Sequence, residues 1–203
     1  MGSPEEAIRV DDEEGEEKKK GREDEITALL LKTRTVILAD VITKRSAQRI
    51  ISQLLLLEQD DSTKPIDVFI NSPGGDADAG FAIYDMMRFI KPRLRTVCTG
   101  ITASAAVIVL LAAKKEDRFA LPNARVLIHQ PWGGVRGFAS DIQIEASEIL
   151  KCRDKINRLI AAETGHPLEK VESDTKRNYW MNAEETKNYG LISKIVSQRD
   201  ELK

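Results

Sequence analysis

Ile66-Asp67-Val68-Phe69-Ile70-Asn71-Ser72-Pro73-Gly74-Gly75 decides the fold. Its first half is rich in β-branched and aromatic side chains and reads as a strand, Ile66 to Ile70. The Asn-Ser-Pro-Gly-Gly run after it is a strong turn signal. From about Asp78 the apolar residues Phe81, Ile83, Tyr84, Met87 and Ile90 keep helical spacing until Pro92 stops them. Leu94 to Thr99 then reads as a second strand. Strand, helix and strand in that order form the unit of an α/β fold.

The alternation extends both ways. Upstream, Val36-Ile37-Leu38 reads as a strand, and residues 46–58 carry Ala47, Ile50, Ile51, Leu54 and Leu57 at helical spacing. Downstream, Gly100 follows the strand, a small-residue helix runs from Ser104 to Ala113, and Arg125 to His129 is a short strand broken by Pro131-Trp132-Gly133-Gly134. Residues 140–163 form a long amphipathic helix (Ile142, Ile144, Ile149, Ile156, Leu159, Ile160). It is longer than the preceding units need for a core, so it is expected to protrude and pack against another subunit. A helix at Ala183–Tyr189, capped by Gly190, and a strand Leu191–Val196 end the chain. There are no internal repeats and no GxxxxGK[ST] phosphate loop.

The chain has 203 residues, 41% hydrophobic and 5% aromatic, which suits one globular domain, residues 26–203. Residues 5–25 hold eleven acids against five bases and almost no large apolar side chain. Such a stretch cannot bury enough surface to offset its ordering entropy, so residues 1–25 read as a flexible acidic tail. The remainder is weakly and diffusely basic, which argues against nucleic-acid binding. The opening Met-Gly-Ser-Pro runs straight into acids, unlike a signal peptide. The longest apolar run, Ala103 to Ala113, is too short to span a bilayer. Cys98 and Cys152 show no metal-ligand spacing and read as reduced thiols. The expectation is a soluble, cytoplasmic protein without metal or cofactor.

Three local patterns bear on chemistry. In Thr99-Gly100-Ile101-Thr102-Ala103-Ser104-Ala105-Ala106, a strand feeds a turn and a serine opens an apolar helix. Free N–H groups there favour an alkoxide or oxyanion, although such a serine alone also reads as an ordinary N-cap. The Pro73-Gly74-Gly75 turn offers further free amides, and an amide there with that of Ala105 would make a two-donor oxyanion hole. Taken alone it is a structural turn. Of the two histidines, His166 in Thr164-Gly165-His166-Pro167 reads as exposed, whereas His129 closes a strand beside a sharp loop, where a general base is plausible.

Together these residues resemble, across about residues 26–203, the Clp protease proteolytic subunit (ClpP) family. The matching segments are Phe69 to Gly75, Ala79-Gly80, Ile90-Lys91-Pro92, Thr102-Ala103-Ser104, Ala112 to Asn123, Ile128 to Pro131, Ala139 to Ile142, Asp174-Thr175, Asn182 to Glu185 and Tyr189 to Leu191. The 25-residue step from Ser104 to His129 agrees with the family's spacing of nucleophile and base. The resemblance implies Ser104 as nucleophile, His129 as base, and the N–H groups of Gly75 and Ala105 as oxyanion hole. It implies the βαβ spiral shared with crotonases, with residues 140–163 as a handle helix between two stacked seven-membered rings. It also implies unfolded polypeptide substrates, delivered by a hexameric ATP-driven (AAA+) unfoldase ring.

This chain departs from the family pattern at four places. Asn178 stands where the triad aspartate is usual, with Asp174 nearby as a less apt substitute. Lys176, beside Arg177 at the expected ring–ring contact, replaces an acid. Asp67 stands where an aromatic often lines the unfoldase docking pocket, and Ala105-Ala106 replaces Met-Gly. Together they imply a weakly active subunit working beside a second, more typical one. Three readings follow: an endopeptidase subunit cutting unfolded chains, in a homo-oligomer or with a second subunit of the family; a regulatory ring of a mixed assembly; and an acyl-CoA enzyme of the crotonase fold, against which the Ser–His pair argues.

Overall fold

The computed structural model describes residues 25–202. The expected acidic tail, apart from Glu25, lies outside the described residues. The chain divides into two units, Met1–Thr35 and Val36–Lys203. In the first, residues 25–32 are helical, and Thr33 Oγ1 donates to the carbonyl of Leu30 at 2.8 Å.

The remaining elements are β1 (Thr35–Leu38), α1 (Lys44–Asp60), β2 (Ile66–Ser72), α2 (Ala77–Phe89), β3 (Leu94–Ala103), α3 (Ala105–Leu110), β4 (Arg118–Ala120), β5 (Arg125–Ile128), α4 (Ala139–Thr164), α5 (Leu168–Thr175), β6 (Tyr179–Asn182), α6 (Ala183–Tyr189) and β7 (Lys194–Ile195). Local sequence explains several boundaries. Thr43 and Ser46 form a reciprocal capping box that starts α1, and Asp76 caps α2 by accepting from the Ala79 N–H at 2.9 Å. Gly190 ends α6 in the left-handed region, with φ of 87°.

The strands run in the order β1-β2-β3-β4-β7, with β5 paired to β3 and β6 to β5. Parallel pairing joins β2 to β3, β3 to β4 and β5, and β4 to β7; β6 runs antiparallel to β5. Leu38, Ile66, Val68, Ile70, Val97 and Val126 are buried on this sheet. Ile50 and Leu54 of α1, Ile83 and Met87 of α2, and every residue of α3 complete the core.

β3 is the pivot. Its first half pairs Thr96–Cys98 with Arg118–Ala120 of β4, and its second half pairs Ile101–Ala103 with Arg125–Leu127 of β5. The change of partner coincides with a register shift against β2, where Ile70 faces Cys98 but Ser72 faces Thr102. The Asn71 side chain fills this bulge, accepting from the Ile101 N–H at 2.9 Å. A Cβ on Gly100 would lie 2.4 Å from Asn71 Oδ1, so a larger residue would have to displace that side chain. Gly100 does not end the strand, and β3 reaches Ala103 instead of the expected Thr99.

Other expectations shift at their edges. β4 and β6 are strands that apolar patterning did not reveal, and only Lys194–Ile195 of the expected C-terminal strand pairs. The long helix spans Ala139–Thr164 and buries only Asn157 and Ile160, while Ile142, Ile144 and Leu150 remain exposed. Its base is anchored by the buried Arg118, which donates to the carbonyls of Leu111 and Ala113 behind α3 and to the Glu163 carboxylate. Asp67 is 5% exposed and pairs with Arg95 Nε at 2.6 Å, so it does not present the free surface acid its position implied. No helix among the described residues is long and apolar enough to cross a membrane.

Candidate active site

The end of β2 places the first component. Ser72 Oγ donates to the Asp40 carbonyl at 2.6 Å and accepts from the Gly74 N–H at 3.1 Å, which fixes the turn. Ile42 then bridges it, donating to the Gly74 carbonyl at 2.8 Å and accepting from the Asp76 N–H at 2.9 Å. Because these two bonds straddle Gly75, the Gly75 N–H faces away from Ile42. Gly75 holds φ of 145°, and a Cβ there would collide with the Ile42 carbonyl at 2.3 Å.

The end of β3 places the second. Ser104 has φ of 55° and ψ of −123°, a conformation that costs a non-glycine residue about 1–3 kcal/mol. Its N–H donates to the Leu127 carbonyl at 2.9 Å, and its carbonyl accepts from the Val107 N–H at 2.9 Å. Ser104 occupies the N-cap position of α3, yet its side chain makes no capping hydrogen bond. The local sequence alone was compatible with an ordinary cap; the strained backbone instead leaves the hydroxyl uncommitted. The two junctions touch: a Cβ on Gly74 would stand 2.8 Å from Ser104 Cβ and 2.9 Å from the Ala105 nitrogen. Ala105 is the first residue of α3, so its N–H has no carbonyl a turn behind it in the helix.

The end of β5 places the third. His129 follows Ile128 and is half-buried, and burial lowers its pKa from the ordinary 6.5. Gln130 donates its N–H to the Thr175 carbonyl at 2.6 Å and its side-chain amide to the Lys176 carbonyl at 2.9 Å. These bonds draw the segment carrying Asn178 alongside the histidine.

Ser104, His129, Asn178, Gly75 and Ala105 all line one cavity of about 470 Å³. Among the described residues no hydrogen bond joins the hydroxyl, the imidazole and the amide, and such bonds often tighten only once a ligand is bound. The arrangement combines a hydroxyl, a neutral base and two amide donors, the set that acyl transfer requires. Lys176 and Arg177 are exposed and stand outside the cavity lining. Asp174 is held elsewhere: its Oδ2 accepts from Lys170 Nζ at 2.6 Å and from the Tyr189 hydroxyl at 2.8 Å. His166 is half-buried against Tyr189, with ring centroids 4.5 Å apart, rather than exposed as its loop sequence implied.

Two further parts of the site had no single motif to announce them. Ile108 and Leu111 join Ile156, Leu159 and Ile160 of α4 as an apolar wall. The periodicity of the last three was visible, but not that they would face a cavity. Trp132 lines the same cavity. Among the described residues, main-chain groups 131–137 beside it form no hydrogen bond with other main chain.

Comparison with known proteins gives a concordant result. Residues 17–199 match the family described as Clp protease. A protein of Treponema denticola named ATP-dependent Clp protease proteolytic subunit 2 is 52% identical over 192 residues, covering 93% of this chain and 96% of that protein. Its namesake from Treponema pallidum is 51% identical over 172 residues, covering 85% of this chain and 86% of that protein. A solved structure of a ClpP1 point mutant from Listeria monocytogenes superimposes with a TM-score of 0.81 at 46% identity, covering 88% of this chain and 99% of that one.

Proposed function

The chain belongs to the Clp protease family, and on that premise we propose that it is a serine endopeptidase subunit cutting unfolded polypeptides into short peptides. The observation that carries this is the convergence of Ser104, His129 and the amides of Gly75 and Ala105 on one cavity. His129, kept neutral by burial, takes the Ser104 proton as Oγ attacks the peptide carbonyl. The oxyanion of the tetrahedral intermediate is held by the N–H groups of Gly75 and Ala105. The imidazolium returns its proton to the leaving amine, and water, deprotonated by the same base, hydrolyses the acyl-enzyme. The unpaired main chain of residues 131–137 supports binding of the substrate as an added strand.

The wider setting belongs to the same proposal: residues 26–203 as the protease domain, stacked seven-membered rings, an AAA+ unfoldase as feeder, and the cytoplasm as location. The exposed apolar residues of α4 support a handle that another subunit covers. Ser104→Ala tests the reading. It should abolish peptide hydrolysis and labelling by serine-directed probes, and a variant that cleaves at the wild-type rate would remove Ser104 as nucleophile.

A second reading is favoured by one observation. Asn178 accompanies Ser104 and His129 in the cavity, while the nearby carboxylates are engaged elsewhere: Asp76, which also lines the cavity, caps α2, and Asp174 is held by Lys170 and Tyr189. An amide orients an imidazole but does not stabilise imidazolium by charge. The chain would then be a weakly active or regulatory ring beside a second subunit of the same family. Turnover of a fluorogenic peptide, with and without that subunit, distinguishes the two.

A further inference from the structure

Of the two tryptophans in the chain, one is already occupied. Arg125 lies over the Trp180 ring, 4.4 Å from its centroid. Trp132 is 87% exposed, although it lines the same cavity as Ser104 and His129. A large ring left open to water at the rim of a reaction cavity carries area that only a ligand or partner can cover. Two residues on, a Cβ on Gly134 would meet no atom within 4 Å.

The apolar lining of the cavity comes from two parts of the chain. One is the wall of Ile108, Leu111, Ile156, Leu159 and Ile160, contributed by α4 and the region of α3. The other is the indole of Trp132, three residues along the chain from His129. In an extended peptide successive side chains point to opposite sides. The two surfaces can therefore read two different residues of one substrate.

We infer that Trp132 is a specificity-determining residue, a platform on which an aromatic or large aliphatic side chain near the scissile bond stacks while another side chain meets the apolar wall. This rests on the peptidase reading for its substrate class, an extended polypeptide. Aromatic pairing adds enough beyond area burial to favour phenylalanine over alanine by roughly two- to tenfold at the position that meets the indole.

The test uses matched peptides that differ only by Phe or Ala at each position flanking the cleaved bond. With the wild-type chain, the ratio of kcat/KM for Phe over Ala should exceed one by that factor at one position. Trp132→Phe should keep the preference and Trp132→Ala should bring the ratio close to one. A ratio unchanged by Trp132→Ala overturns the inference, including the case where that substitution alters only assembly.

A second arm does not depend on turnover. In a Ser104→Ala, Trp180→Phe protein, Trp132 is the sole tryptophan. Saturation with the Phe peptide should shift its emission to the blue and shield it from acrylamide, with the Ala peptide binding more weakly. Binding without either change overturns the platform. Saturable shielding in a chain that never cleaves would instead retain the platform and sink the peptidase reading.

Discussion

His129 and Asn178 occupy facing positions at the end of an antiparallel ladder. β5 and β6 pair Ile128 with Tyr179, and one step further in the same register sets the histidine opposite the asparagine. Cross-strand neighbours of this kind carry Cβ atoms roughly 4.5–5.5 Å apart, within reach of side-chain contact. Beyond them the register breaks: the Gln130 N–H bonds the Thr175 carbonyl at the end of α5, two residues off the partner the ladder would give it.

Asn178→Asp is therefore expected to raise peptide hydrolysis. A carboxylate facing His129 would hold the required tautomer and stabilise the imidazolium, terms worth up to ~10⁴-fold in a serine triad. The gain here should be smaller, because Asn178 is exposed and solvent screens the new charge. Rates are compared at equal assembly state; an unchanged or lower rate would discard Asn178 as the orienting residue.

In the wild-type chain, the acid limb of kcat/KM should lie below the ordinary imidazole value of 6.5, since burial disfavours the charged ring. The same asymmetry acts on stability. The unfolded chain binds the proton more readily, so this group costs stability as pH falls below 6.5 and nothing above it. Asn178→Asp should move the limb upward, because a facing anion favours imidazolium. A pH–rate series on both proteins checks the pair, and a limb that moves downward would contradict it.

Gly74→Ala should remove most activity and cost about 2 kcal/mol of stability or more. Gly74 holds φ of 90°, and the new methyl would lie 2.4 Å from the Ala103 carbonyl and 2.9 Å from the Ala105 nitrogen. Relief of that clash moves the Ser104 junction or the turn that carries Gly75. Chemical denaturation together with peptide turnover measures both effects; wild-type turnover would show that the two junctions are not coupled.

Lys176 and Arg177 are exposed. If rings of this chain meet there, like charges at about 4 Å cost about 1 kcal/mol per pair in water, repeated at every contact. Homomeric double rings should then be disfavoured at low salt, and pair when salt screens the charges or with a partner ring carrying acids. Lys176→Glu should promote pairing. Native mass spectrometry at two salt concentrations reads this out, and a stable homomeric double ring at low salt would refute it. The paired state of Asp67 removes it from this argument.

The alternation of strand and helix around Ile66–Pro92 was legible because periodicity and turn chemistry are local properties. So were the residue types at Ser104, His129 and the double glycine, which brought the resemblance with them. The tertiary structure decided what depends on distant partners. β4 and β6 are too short to carry a pattern, and they exist because β3 and β5 offer edges to pair with. Gly100 reads as a strand end until Asn71 of the neighbouring strand bonds the Ile101 N–H beside it and β3 runs on. Asp67 and Asp174 look like available acids until Arg95, Lys170 and Tyr189 are folded against them. The facing of His129 and Asn178 follows from strand register between segments some fifty residues apart along the sequence, and no local preference encodes register; it is set by which pairing buries the apolar face and satisfies the ladder.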